Sequence, residues 1–234
     1  MLSGLLLDGA REMGIGLTPE QVNAFLVYLK ELLSFNDKAN ITAITDEREI
    51  VIKHFLDSLL ITGSFDFSSQ KVVDIGSGGG FPGIPLKIIR PDIDLTLVDS
   101  VGKKTSFLSE LVSLLALSGT KIAWSRIEDF ARSNRSVFDV AVSRAVAPLP
   151  VLAEYSLPLL KINGVMIAMK AEDVDDEVNA AGNALKVLGG ELAEVKKLAL
   201  PMTDIVRSFV IVRKASETPK KYPRRAGAAE KRPL

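Results

Sequence analysis

The 234-residue chain has no cysteine, which excludes disulfides, thiolate zinc sites and a cysteine nucleophile. No apolar run approaches the roughly 18 residues needed to cross a bilayer. The opening stretch MLSGLLLDGAREMG does not read as a signal peptide, because Asp8, Arg11 and Glu12 interrupt it at once. Net charge is also missing, with 29 basic against 29 acidic residues, and His54 is the single histidine. These absences predict a cytoplasmic protein without membrane contact or a metal site. With no sign of self-association, a monomer is expected.

What is present begins with a 47% hydrophobic composition, enough to bury a sizeable core. Zero net charge hides an asymmetry. From Lys214 onward the chain carries seven Lys/Arg against two acids, Glu217 and Glu230, so the body before it is mildly acidic. A basic tail of this kind suggests a polyanion partner; the competing expectation is a solvated, disordered tail. Pro219, Pro223 and Pro233 argue against helix or central strand there. Residues 215–234 are therefore read as a basic arm, which Tyr222 could anchor in part to the body or present to a base, and whose loss leaves any ligand pocket intact.

Residues 1–68 read as a helical lobe. Thr18-Pro19-Glu20-Gln21 is a capping box with proline at the first helical position, followed by Val22, Phe25, Leu26, Leu29, Leu32 and Leu33 at helical spacing. Thr45 or Asp46 can cap a further helix with the stripe Ile52, Phe55, Leu56, Leu59 and Leu60. From Lys71 the pattern alternates. Strands are expected at 71–75, 94–98, 121–124, 137–142, 164–169 and 208–213, and helices at 83–90, 103–117, 150–160 and 173–188. Trp124 is expected in the core. Such alternation over residues 69–214 predicts a Rossmann-like α/β fold, a mostly parallel sheet with helices on both faces. ELAEVKKLAL and RSFVIVRK follow one another without a helix between them, which predicts an antiparallel pair at one edge.

The chemistry-bearing stretch is VVDIGSGGGFPGIPL, Val72 to Leu86. Gly78, Gly80 and Gly83 satisfy the dinucleotide pattern G-x-G-x-x-G, so a nicotinamide-dependent oxidoreductase enters consideration. Yet the strand ends in Asp74, and a carboxylate there crowds a pyrophosphate. It favours a ligand with an amine or sulfonium. Asp99 ends the next strand, where a carboxylate can accept from both hydroxyls of a ribose. One acid for a cationic group and one for a ribose describe S-adenosylmethionine.

With these residues in view, the chain resembles the ribosomal RNA small-subunit methyltransferase G family, also called glucose-inhibited division protein B. The points of resemblance are NIT at 40–42, KHFLDSL at 53–59, DIGSGGGFPGIPLKI at 74–88, LVDSVGKKTSFL at 97–108, SRIEDF at 125–130, VSRAVAPL at 142–149 and KKYPRRAG at 220–227. The resemblance implies a class I S-adenosylmethionine-dependent methyltransferase fold. It implies methyl transfer to N7 of a guanosine in a decoding-region loop of 16S rRNA, with the RNA or the small ribosomal subunit as partner. It also implies site residues: Gly76 and Phe81 at the methionine end, Asp99, Ser100 and Val101 at the ribose, Ile127 and Glu128 at the adenine, and Arg144 at the border of the pocket. Gly78, by its place in the glycine loop, is read as a further cofactor-binding residue. Lys53 stands where many members carry arginine, which keeps the charge without the planar fork.

The residues bear on the reaction independently. C5 methylation of a pyrimidine needs a covalent nucleophile, usually cysteine, and none exists here. Amino-group methylation typically uses an Asp/Asn-Pro-Pro-aromatic turn, and this chain has SRAVAPL at that place. Guanine N7 is a lone pair that needs no base. The alternatives left open are another RNA atom, such as a 2′-hydroxyl with Lys170 as base, or the oxidoreductase. Catalytic candidates are Arg144, Lys170 and His54, the last equally readable as a structural residue.

Overall fold

The computed structural model describes the backbone of residues 1–234 and every side chain except those of residues 37–39. The chain opens with α1 (Leu2–Glu12) and α2 (Pro19–Ala39). At the start of α2 the Thr18 hydroxyl accepts from the Gln21 amide, and the Gln21 side chain accepts from the Thr18 amide at 2.9 Å. Two amides that a helix start leaves bare are thereby satisfied. Asp46 caps α3 (Glu47–Ile50) by accepting from Glu49 N at 2.9 Å. The helix then widens into a π turn, Val51–Leu56, and resumes as α4 (Asp57–Leu59). The apolar stripe predicts one regular helix; the wider turn instead sends Phe55 and Leu56 into the core while Lys53 and His54 line a cavity.

Seven strands follow: β1 (Lys71–Ile75), β2 (Asp94–Asp99), β3 (Thr120–Trp124), β4 (Phe138–Arg144), β5 (Leu160–Ala171), β6 (Gly190–Ala199) and β7 (Val206–Lys214). They form one sheet in the order β3-β2-β1-β4-β5-β7-β6. The first five are parallel, β7 runs antiparallel to β5, and β6 pairs antiparallel with β7. The expected edge hairpin is therefore present. Helices α5 (Gly83–Ile89), α6 (Gly102–Leu114), α7 (Ile127–Ser133), α8 (Leu149–Ser156), α9 (Asp175–Ala180) and α10 (Gly182–Leu188) cover the faces. The single helix expected over 173–188 is broken into α9 and α10 around Ala181. The helix expected to reach 160 stops at Ser156, and Leu157–Leu159 around Pro158 form a 3₁₀ turn.

Successive residues of β1 enter different cores, as the period of two requires. Val72 packs with Phe25, Tyr28, Phe55 and Leu86, and Val73 with Leu152, Leu160 and Leu188. The helical lobe thus covers one face of the sheet. Since β1 lies between β2 and β4, the crossovers diverge on either side of it and open a crevice at the strands' C-terminal ends. Among the described residues no helix is long and apolar enough to cross a membrane.

The reading of residues 215–234 as a free arm is corrected. Tyr222 is buried, and Arg224 makes a charge-assisted pair with Glu154 through Nε and Nη2. Arg135 donates to the carbonyls of Thr218 and Tyr222. Lys214 is buried with its ammonium on Thr218 Oγ1 and the Leu157 carbonyl, and burial lowers its pKa to about 8. The chain ends in a short helix, α11 (Ala228–Lys231), where proline-rich composition argues against one. Neither expectation for the basic tail, a polyanion partner or a solvated segment, includes the buried carboxylate on α8 that holds Arg224.

Candidate active site

The glycine loop follows β1. Gly76, Gly78 and Gly80 take φ of 67°, 57° and 99°, a left-handed backbone that glycine adopts without strain. The loop is tied to β2: the amides of Gly76 and Ser77 donate to Val98 O at 2.9 and 3.1 Å, and Ser77 Oγ accepts from Val98 N. Asp99 is then oriented by two main-chain donors, Gly78 N to Oδ2 at 2.9 Å and Val101 N to Oδ1 at 2.8 Å. Each oxygen keeps a lone pair for a further donor.

A cleft of about 270 Å³ opens at this point. Six of the expected residues line it together: Gly76, Asp99, Ser100, Val101, Ile127 and Glu128. Gly78 contributes through its hold on Asp99. Asp74 does not face the cleft. It is fully buried, its Oδ2 accepts from Gly83 N at 2.9 Å at the start of α5, and its Oδ1 has no partner. Burial pushes its pKa up to about 7, against the opposing pull of the Gly83 amide. The expectation that Asp74 meets a cationic ligand is corrected: it anchors the loop from below. Phe81 is corrected in the same way. Its ring stacks between Tyr28 and His54, with centroids 5.4 and 4.5 Å away, because an apolar ring gains more from this aromatic cluster than from a wet cleft.

A second cavity, of about 450 Å³, lies beside the first, and Ala145 borders both. It brings together the three catalytic candidates, His54, Arg144 and Lys170, from three distant parts of the chain. Arg144 faces this cavity rather than the cofactor cleft assigned to it. Its Nη1 donates to Asp57 Oδ2 at 2.9 Å and to Lys53 O at 3.1 Å, and its guanidinium lies 4.9 Å from the Phe81 centroid. Nη2 donates to His54 Nδ1 at 3.1 Å. Arginine only donates, so Nδ1 is the acceptor and the proton sits on Nε2, which donates to Thr42 Oγ1 at 2.7 Å. Burial first, and the Arg144 charge second, lower the His54 pKa to about 4, so the ring is neutral.

Sequence reasoning missed Asp57 and Arg207. Asp57, with 2% of its side chain exposed, joins Arg144 to Arg207, whose Nε reaches Oδ1 at 2.6 Å. Asp57 lies in the KHFLDSL stretch three residues after His54, a spacing that sets both on one helical flank. Arg207 is the second residue of β7, and its partner lies so far back in the chain that no local pattern marks it. Lys170 donates to Glu177 Oε1 at 2.6 Å and to Ala147 O at 2.7 Å, and Lys53 pairs with Glu49. Trp124, expected in the core, is 73% exposed at the end of β3, with its indole N–H on Ser100 O at 3.1 Å. It lies against Gly102 at the start of α6.

Comparisons with known proteins bear on the family and the fold. Residues 21–206 match the family model described as rRNA small subunit methyltransferase G. Curated relatives carrying the description ribosomal RNA small subunit methyltransferase G include one from Thermoanaerobacter sp. (strain X514), 45% identical over 98% of this chain and 97% of its own. Another, from Pelotomaculum thermopropionicum, is 45% identical over 100% and 99%. Among solved structures, M. jannaschii TYW2 in complex with AdoMet superposes with a TM-score of 0.52 at 16% identity, covering 67% of this chain and 74% of that one. The Burkholderia thailandensis 1,6-didemethyltoxoflavin-N1-methyltransferase, with bound S-adenosylhomocysteine, gives 0.54 at 12%, covering 86% and 92%. At those identities the structural likeness speaks to the fold alone.

Proposed function

The chain belongs to the rRNA small subunit methyltransferase G family and is an S-adenosylmethionine-dependent methyltransferase of small-subunit ribosomal RNA; from that premise we propose that it methylates N7 of a guanosine in 16S rRNA. The observation that carries this reading is the state of the second cavity, where the substrate base would enter. Among the described residues, every titratable group lining it is already engaged. Lys53 is paired with Glu49, Asp57 with two arginines, and Lys170 with Glu177, while both nitrogens of His54 are committed. A hydroxyl or amine substrate needs a base to take its proton. Guanine N7 presents a lone pair and needs none.

The cleft fits the cofactor. Gly78 has φ of 57° and open space where a Cβ would stand, with only Gly76 O at 3.9 Å, so a ligand can approach the backbone closely. Asp99 would accept from the ribose hydroxyls, Ser100 and Val101 would flank that sugar, and Ile127 and Glu128 would meet the adenine. When bound, the cofactor supplies a methyl group on a sulfonium. The chain contributes position: Ala145 joins the two cavities, and the Arg144, Asp57 and Arg207 network holds the wall against which a base is aligned. Lys53, Lys170 and Arg207 line this cavity paired with Glu49, Glu177 and Asp57, so an RNA phosphate would share or displace those partners. The same reading makes it a cytoplasmic enzyme acting as a monomer.

Mapping N7-methylguanosine in 16S rRNA from cells with and without the protein tests the proposal. The mark should vanish at one position when the protein is absent. Loss of a methyl group from a different atom, with every N7 mark retained, would overturn it.

A further inference from the structure

The C-terminal segment, expected to stand clear of the ligand pocket, reaches into it. Gly227 has φ of 73° and turns the chain into α11, and its amide donates to Glu128 Oε1 at 2.8 Å. Ala229 is buried against Val151 and Tyr155. These contacts set Glu230 in the wall of the cleft that Asp99, Ile127 and Glu128 line, where the Tyr155 hydroxyl donates to its Oε1 at 3.3 Å. The segment is brought there by the Arg224 pair with buried Glu154 and by Arg135.

Carboxylates gather at this end of the cleft, whose lining also includes the cations Lys104 and Arg126. Glu154 is neutralised by Arg224, but among the described residues Glu128 and Glu230 have no ion-pair partner. Tyr155 lies close to both: burial first, with Glu128 and Glu230 adding to it, raises its pKa. The order of strands along the crevice says which part of the cofactor lies here. Ala145, after β4, borders the second cavity, Asp99 ends β2, and Ile127 and Glu128 follow β3 beyond it. With the ribose on Asp99, the base falls on the β3 side. At position 6 an adenine offers two N–H donors, whereas a 6-oxo purine offers an acceptor and carries its N–H on N1.

We propose that Glu230 is a cofactor-binding residue, its carboxylate held by Tyr155 and accepting a hydrogen bond from the 6-amino group of adenine, so that the C-terminal segment forms a wall of the cofactor site. This rests on the reading that Asp99 holds the ribose. Calorimetry on the full chain tests it with two ligands, S-adenosylhomocysteine and its 6-oxo counterpart S-inosylhomocysteine. Glu230 is exposed, so its replacement leaves the fold intact. Glu230→Ala should weaken the adenosyl ligand about fivefold, the loss of one partly solvated charged hydrogen bond, and leave the inosyl ligand unweakened. Glu230→Gln, which keeps an oxygen acceptor, should retain most of the affinity for the adenosyl ligand. Equal losses for both ligands, or none for either, would overturn the assignment. Asp99→Ala serves as the separate control. If it weakens neither ligand, the ribose placement has failed, whatever Glu230 shows.

Discussion

The two cavities that meet at Ala145 are built from different materials. The floor of the cofactor cleft is a main-chain construction: a loop with three glycines at positive φ, amides aimed at β2, and Asp99 held by two further amides. The second cavity is side chain: one buried carboxylate between two guanidiniums, and a neutral imidazole stacked on Phe81. Main-chain groups do not titrate and are positioned by residues close in sequence. A network of charges is assembled from distant segments, and each member depends on the others staying ionised as they are. The first kind of construction suits a ligand that never varies. The second suits an RNA loop, whose phosphates and bases must be both attracted and oriented.

Breaking one cavity should spare the other. The largest effect is expected from Gly78→Val. A Cβ there meets only Gly76 O at 3.9 Å, so the fold has room, although the positive φ costs about 1–2 kcal/mol. The side chain takes the space of the ligand, and calorimetry should find no cofactor binding to a protein that still unfolds cooperatively. Gly80→Val is the contrast. Its Cβ would lie 2.7 Å from the Tyr28 hydroxyl and 2.8 Å from Ile84, and the fold itself should fail.

Next in size is Asp57→Ala. It leaves Arg144 and Arg207 together without their counterion, a loss of about 3 kcal/mol of stability by analogy with other broken buried pairs. Denaturant titration should show that loss while cofactor affinity stays at the wild-type value. Affinity falling in parallel would mean that the cavities cannot be separated.

The smallest effect is a matter of pH. His54 has its pKa lowered from 6.5 to about 4, so the unfolded chain binds its proton more readily than the folded one. The stability this neutral ring confers is complete above pH 6.5 and is lost as pH falls toward 4, on the order of 2 kcal/mol between pH 7 and 5. His54→Gln should flatten that part of the profile, and an unchanged profile would show that other groups carry it. The cleft's amides should give no such dependence.

Legibility in the sequence followed the same division. Local signals read true: Thr18 and Gln21 announce a capping box, Lys71–Ile75 is a strand, and the glycine loop stands beyond it. The π turn at Val51–Leu56 was invisible, because the apolar stripe over that stretch is satisfied by an ordinary helix. Arg207 and Asp57 lie 150 residues apart, and no periodicity links them. Arg144 was found as a site residue, but the cavity it faces is set by partners on α4 and β7. Composition marks the tail as basic but does not show that Arg224 pairs with buried Glu154, 70 residues away. Asp74 misled by position, since a strand-end acid can point beneath a loop as readily as above it.

Trp124 has a practical consequence. It is the only tryptophan in the chain, it is largely in water, and its indole N–H is tied to the carbonyl of Ser100, the residue after Asp99. The protein therefore carries a single native fluorophore at the mouth of its cofactor cleft, with no second tryptophan to dilute the signal. An indole this exposed is expected to emit as a solvated one, and a ligand that contacts the Asp99–Val101 strap should alter its surroundings. Occupancy of the cleft becomes an optical quantity, readable in the unlabelled protein.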